Sequence, residues 1–159
     1  MALDKAQFRH VLGHFASGVT VVTTLGADGK PYGLTATAFS SLSLVPPLVL
    51  VCIDKKAESF PQFESSQVFA VNFLKSGQES TSQRFAVHGG DKFAGVSYRK
   101  VVTGAPVLPD TLGFLDCKVA HRYEGGDHII YVGEVEAAEV FDETPLLHFR
   151  GAYGDFRKC

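Results

Sequence analysis

A chain of 159 residues has room for one domain with a sizeable core and is short for two, so a single domain over 1–159 is expected. Its formal charge of −2, with acidic and basic residues mixed along the chain, leaves no nucleic-acid footprint, and a content of 45% hydrophobic and 20% charged residues is that of an ordinary soluble globular protein. The longest mostly apolar run, 45–53, is too short to span a bilayer and holds Pro46 and Pro47, while "MALDKAQFRH" has no signal-peptide core; no membrane partner is expected, and a cytoplasmic location is.

The chain opens on a helix, with Asp4 as N-cap, Phe8, Val11, Leu12 and Phe15 at helical spacing, and Gly18 as the stop. Strands then dominate. "VTVVTTL" (19–25) is β-branched, "GADGKPYG" (26–33) is a turn, and "LTATAFSSLSL" (34–44) reads as the next strand. After Pro46-Pro47, "LVLVCI" (48–53) reads as a buried strand. A short helix interrupted at Pro61 is expected in "AESFPQFESS", a strand in "VFAVNFL" (68–74), and a helix in "SGQESTSQRFA" (76–86) with Ser76 as its cap. A loop-rich stretch precedes a hairpin over 113–141, whose turn is Gly125-Gly126 and whose second strand is Ile129 to Val135. A last extended piece covers 145–154.

Few helices and neighbouring antiparallel-looking strands predict a mainly β fold, a closed or partly closed antiparallel barrel and not a doubly wound sheet. There is no GxGxxG after a strand and no P-loop, so any nucleotide is held without a Rossmann domain. Cys52, Cys117 and Cys159 are odd in number and far apart, which predicts neither a disulfide framework nor a cysteine-built zinc site. The histidines show no HExxH or comparable spacing, so no metal is expected, and without a GxSxG elbow a serine hydrolase is poorly supported.

Four segments carry candidate chemistry, each beside a plainer reading. In "TATAFSSLS" (35–43), hydroxyls and small side chains collect where a strand enters a loop. That suits the approach of a flat ring and a phosphate, or is simply a Ser-rich strand edge. In "CIDKKAES" (52–59), Cys52 and Asp54 lead to Lys55, Lys56 and Ser59, either an anion site or a solvated lysine pair. Asn72, within an apolar strand, must be hydrogen-bonded if buried, either to backbone or to the polar edge of a ligand. Asp127 and His128 stand at the mouth of the hairpin, as a polar turn or as a pair that holds something.

Taken in order, "FRHVLGHFASGVTVVTT", "GLTATAFSSLSLVPPLVLVCIDKKAES", "FAVNFL", "SQRFA", "GAPVL", "GDHIIYVGEV" and "PLLHFRGAYG" closely resemble the short-chain NAD(P)H:flavin oxidoreductases, the reductase components of two-component flavin-dependent monooxygenases. The resemblance runs from about Phe8 to Gly154, and its most specific pieces are TATAFSSLSLVPPLVLV and the GDH motif. It implies an FMN-binding split β-barrel of Greek-key antiparallel type, usually a homodimer with FMN or FAD near the subunit interface. It further implies NADH or NADPH as electron donor and a separate monooxygenase that receives reduced flavin.

By the same resemblance, Thr35, Ala36, Thr37, Ala38, Ser40 and Ser41 lie along the isoalloxazine and ribityl chain, and Cys52, Asp54, Lys55, Lys56 and Ser59 reach the ribityl and phosphate end. Asn72, Phe73 and Leu74 match a further flavin-lining stretch, Phe85 an aromatic near the cofactor, and Gly126, Asp127 and His128 the segment tied to nicotinamide binding and hydride transfer. Two departures stand out: a small hydroxyl residue is frequent in the family where Lys56 stands, and Asn where Asp54 stands. With no arginine cluster for a 2′-phosphate, NADH is preferred over NADPH. Two other readings stay open: a flavin-binding electron-transfer module of the same barrel without efficient NAD(P)H turnover, and an oxidase of the pyridoxamine-phosphate type, for which a larger basic cluster is missing.

Overall fold

The computed structural model describes residues 3–159. Asp4 caps the first helix, α1 (Lys5–Leu12), its carboxylate accepting from the Ala6 and Gln7 N–H groups at 3.3 and 3.2 Å. The helix stops at Gly13, earlier than the expected Gly18. The chain tightens there, with His14 and Phe15 N–H donating to Val11 and Leu12 carbonyls, and residues Ser17–Gly18 leave as strand β1. Strand β2 (Thr20–Leu25) is joined to β3 (Pro31–Ala36) by a turn in which Gly26 N–H donates to Lys30 O at 2.9 Å.

The strand expected over 34–44 is two strands. β3 ends at Ala36, and β4 (Phe39–Ser43) begins after Thr37-Ala38, because β3 pairs with β2 whereas β4 pairs with β5 (Leu48–Asp54) at the opposite edge of the sheet. Pro61 does not interrupt α2 (Phe60–Ser65): it sits in the first turn, where no backbone N–H is needed. Strand β6 (Val68–Phe73) follows, then α3 (Glu79–Ala86). Gln78 and not Ser76 precedes α3, since the Ser76 hydroxyl donates to Asp155 instead. The hairpin falls where expected, as β7 (Gly113–Gly125) and β8 (His128–Val140), but its second strand runs past both ends of 129–135 and its connection is Gly126-Asp127 in place of Gly125-Gly126, with Gly126 at φ +75°. Strands β9 (Leu146–Phe149) and β10 (Ala152–Asp155) form a terminal hairpin.

All pairings are antiparallel. Seven strands form one sheet in the order β3-β2-β6-β7-β8-β5-β4, and β1-β9-β10 form a second. The expected barrel is not closed by hydrogen bonds, since β3 and β4 remain the edges of the larger sheet. Its strands nevertheless share one core: Val22, Ala36, Val49, Val51, Ile53, Phe69, Val71 and Tyr131 pack in a single cluster. A second cluster, including Val21, Leu74, Phe85, Phe93 and Leu146, ties the other face of β2 to α3, the 87–110 loop and β9. Among the described residues, no helix is long and apolar enough to cross a membrane.

Candidate functional site

Strand β5 alternates strictly. Val49, Val51 and Ile53 enter the core, which leaves Leu50, Cys52 and Asp54 on the other face. Register then fixes the neighbours: Cys52 lies opposite Ile130 and Asp54 opposite His128 on β8, so all four share that outer face. A cavity of about 490 Å³ opens above it. Its lining brings together Thr35, Ala36, Thr37 and Ala38 from the β3–β4 junction, Cys52, Asp54 and Lys56 from the end of β5, Phe85 from α3, and His128 from the hairpin mouth. Residues far apart in sequence thus meet because both edges of the sheet and its hairpin converge on one end.

The mouth is built for rigidity. Asp127 stands beside His128, whose Nδ1 lies 2.7 Å from Asp127 Oδ1, and this hydrogen bond holds the Asp127 carboxyl below the usual carboxylate range. An ionised carboxylate only accepts, so Nδ1 carries the proton and donates, and Nε2 is the nitrogen left for a ligand. Lys55 is a strap and not part of the lining: its Nζ donates to Gly126 O at 2.8 Å and pairs with Glu124, while its backbone N–H donates to Asp127 O at 3.0 Å. Asp54 Oδ1 accepts from Lys56 N–H at 2.8 Å, a turn contact that an asparagine makes equally well; the Asp-for-Asn departure therefore keeps the loop. Lys56 makes no ion pair among the described residues and borders the cavity with its charge.

The other sequence candidates lie elsewhere. Asn72 is fully buried and spends its amide inside the protein: Nδ2 donates to Val21 O at 3.0 Å, and Oδ1 accepts from Leu108 N–H at 2.8 Å. Leu74 is core, and Phe73 packs edge to face on Phe39 at 5.2 Å. Ser40 and Ser41 are exposed on β4, outside the cavity lining, and Ser59 lines a neighbouring cavity. The Thr35 hydroxyl donates to Ser82 O at 2.6 Å, fastening α3 to β3. Burial raises the Cys52 thiol and pushes Cys117 up to about 12, so neither is a reactive thiolate at neutral pH.

Glu58, Val87, His88 and Lys92 also line the cavity and were not among the residues expected there. Lys92 Nζ donates to Phe85 O at 3.1 Å, and burial lowers its pKa. Glu58 lay within the 52–59 segment already singled out, whereas the only signal for Val87, His88 and Lys92 was a loop rich in glycine, which says nothing about where the loop returns.

Residues 12–157 match the flavin reductase-like domain. The chain belongs to that family. It is 42% identical over 153 residues to the reductase subunit HsaB of a flavin-dependent monooxygenase from Rhodococcus jostii, covering 96% of this chain and 78% of that one. It is 41% identical over 155 residues to a flavin reductase (NADH) from Kitasatospora aureofaciens, covering 95% and 81%. The NADH:FAD oxidoreductase SgcE6 of Streptomyces globisporus, solved in complex with NAD and FAD fragments, superposes with a TM-score of 0.90 at 39% identity, covering 97% of this chain and 93% of that one. In this flavin reductase-like chain the convergent cavity and the Asp127–His128 pair sit at one end of the large sheet.

Proposed function

We propose that the protein is an NAD(P)H:flavin oxidoreductase, with NADH the preferred donor, that supplies reduced FMN or FAD to a separate flavin-dependent monooxygenase. The observation that carries this reading is the cavity itself, which small residues of the β3–β4 junction, cationic side chains and a preoriented histidine line together. The residues fit a flavin: Ala36 and Ala38 leave room for a flat ring, and Lys56 and Lys92 suit an anionic tail. When bound, flavin supplies the acceptor for a hydride from a dihydronicotinamide. The protein needs no acid to break that C–H bond; its task is positioning.

In this reading Thr35 to Ala38 form the ring ledge, and Asp54 shapes the turn that presents Lys56. His128 Nε2 hydrogen-bonds the incoming dinucleotide, Asp127 fixes the imidazole, and Gly126, open on its Cβ side, leaves space for it. The seven-stranded sheet serves as a split barrel in a single domain. A homodimer accounts for an apolar surface around α1, where none of the helix residues is buried and Phe15 is 82% exposed. Phe149 extends that surface, its ring 6.0 Å from that of His14.

The test is His128→Ala, read separately for the two nucleotides. KM for NADH is expected to rise by roughly tenfold, on the order of one lost charged or oriented hydrogen bond. Flavin affinity stays within about twofold on the same scale. Equal loss of both would make the hairpin mouth structural.

A further inference from the structure

His10 and His14 stand at the C-terminal end of α1, four residues and hence one helical turn apart, and both are exposed. The helical course continues past Leu12: Gly13 has φ −62° and ψ −16°, and His14 N–H donates to Val11 O at 3.0 Å. The two rings therefore meet edge to face, with centroids 4.6 Å apart and planes at 66°. Neither ring lines the cavity described above, and neither makes an ion pair among the described residues.

A backbone contact selects the tautomer of His14. Its Nδ1 lies 2.7 Å from His10 O. A carbonyl only accepts, so Nδ1 carries the proton and donates, and the bare lone pair of the neutral ring is on Nε2. An imidazole whose second nitrogen donates to a backbone carbonyl is the arrangement that stands behind metal-bound histidines, because it fixes the tautomer and orients the ring. Phe149 steadies the same ring, edge to face at 6.0 Å, and the neighbouring Arg150 guanidinium is engaged over Phe149 at 6.0 Å. The last carbonyls of α1 add partial negative charge at this end, which favours a cation. Two imidazoles that hold one ion at an N–metal distance of about 2.0–2.1 Å and a near-tetrahedral angle have centres roughly 5 Å apart, close to the spacing already present.

We propose that His10 and His14 form a chelating site for a divalent transition metal of the zinc and nickel class, bound through His14 Nε2 and one ring nitrogen of His10. Imidazole donors select this class, whereas Mg²⁺ and Ca²⁺ require oxygen ligands. No group of three or more His, Cys, Asp or Glu side chains converges to hold an ion among the described residues, so the chain supplies two ligands and water completes the shell. Such a site lies outside the HExxH and cysteine frames that the sequence excludes. The ion clamps the last turn of α1, on the helix that carries Phe8, Val11 and Leu12, and leaves the cavity untouched.

The experiment is a calorimetric titration of tag-free protein with Zn²⁺, in a Cys159→Ser background that removes the exposed thiol, with thermal unfolding monitored in each variant. The parent is expected to bind one Zn²⁺ per chain. His10→Ala and His14→Ala are each expected to weaken that binding by at least about tenfold, a loss that removal of an outer partner alone can cause in a metal site. His121→Ala removes another exposed histidine, one stacked on Tyr123, and is expected to leave the binding unchanged. A second readout on the parent needs no substitution: nitrogen-15 spectra of the imidazoles are expected to show Zn²⁺ shifting Nε2 of His14 while Nδ1 keeps its proton. No binding by the parent, binding that survives either α1 substitution, an equal loss in His121→Ala, or a His14 Nε2 signal unmoved by Zn²⁺ would each overturn the proposal.

Discussion

At the residue scale, the central device is a histidine whose proton position is set by its neighbour in sequence. Asp127 and His128 were legible as a pair because they are adjacent, and the resemblance tied them to the nicotinamide. Lys55 was legible only as one member of a lysine pair, since nothing local says that its ammonium reaches Gly126, on a strand connection 71 residues away. The structure separates the two lysines: Lys55 positions the hairpin mouth, and Lys56 borders the cavity. Lys55→Met is therefore expected to raise KM for NADH by roughly fivefold, the equivalent of about 1 kcal/mol of lost orientation. Flavin affinity and thermal stability should barely move, because an exposed ion pair contributes only about 0–1 kcal/mol. Steady-state kinetics with a melting curve checks this, and a stability loss with unchanged KM would make Lys55 a structural strap only. Asn72 shows the opposite outcome: an apolar strand leaves open whether an amide meets backbone or ligand, and here it bridges β2 to the 106–108 segment.

At the element scale, the strands were legible because β-branched and alternating runs are local signals, whereas the points at which they break were not. Thr37-Ala38 reads as continuous strand in the sequence. It breaks because tertiary pairing sends β3 and β4 to opposite edges of one sheet, and that break creates the small-residue ledge. The α1 stripe reads as a core face by periodicity yet remains exposed, and the 87–95 loop supplies wall residues that no periodicity predicts. The tightest demand falls on β8, where Gly133 faces Val49 on β5 and Val119 on β7. A Cβ there would collide with the Phe69 ring and lie 2.9 Å from Cys117 Cβ. Gly133→Ala is expected to destabilise the fold by about 1–3 kcal/mol, the usual cost of overpacking a filled core. Urea denaturation reads this directly; an unchanged midpoint would mean that the curvature of the sheet at this point is not held by close contact with Phe69.

At the scale of the whole molecule, the hydrogen-bonded sheet leaves two edges, and the helix beside the smaller sheet leaves an apolar face; both are features that a second copy of the chain would cover in the proposed homodimer. Sedimentation of the purified chain at micromolar concentration is expected to give twice 17.2 kDa, and Phe15→Glu is expected to shift it toward the monomer. A monomer in the wild type would leave that face to a different partner. The family membership, the converging cavity and the preoriented histidine all bear on one claim, that the molecule passes reducing equivalents from a nicotinamide to a flavin. Following NADH absorbance with purified protein, with and without added FMN or FAD, tests it most directly. Fast oxidation that requires flavin and saturates with it is the expected result; bound flavin with no NADH oxidation under any of these conditions would contradict that claim.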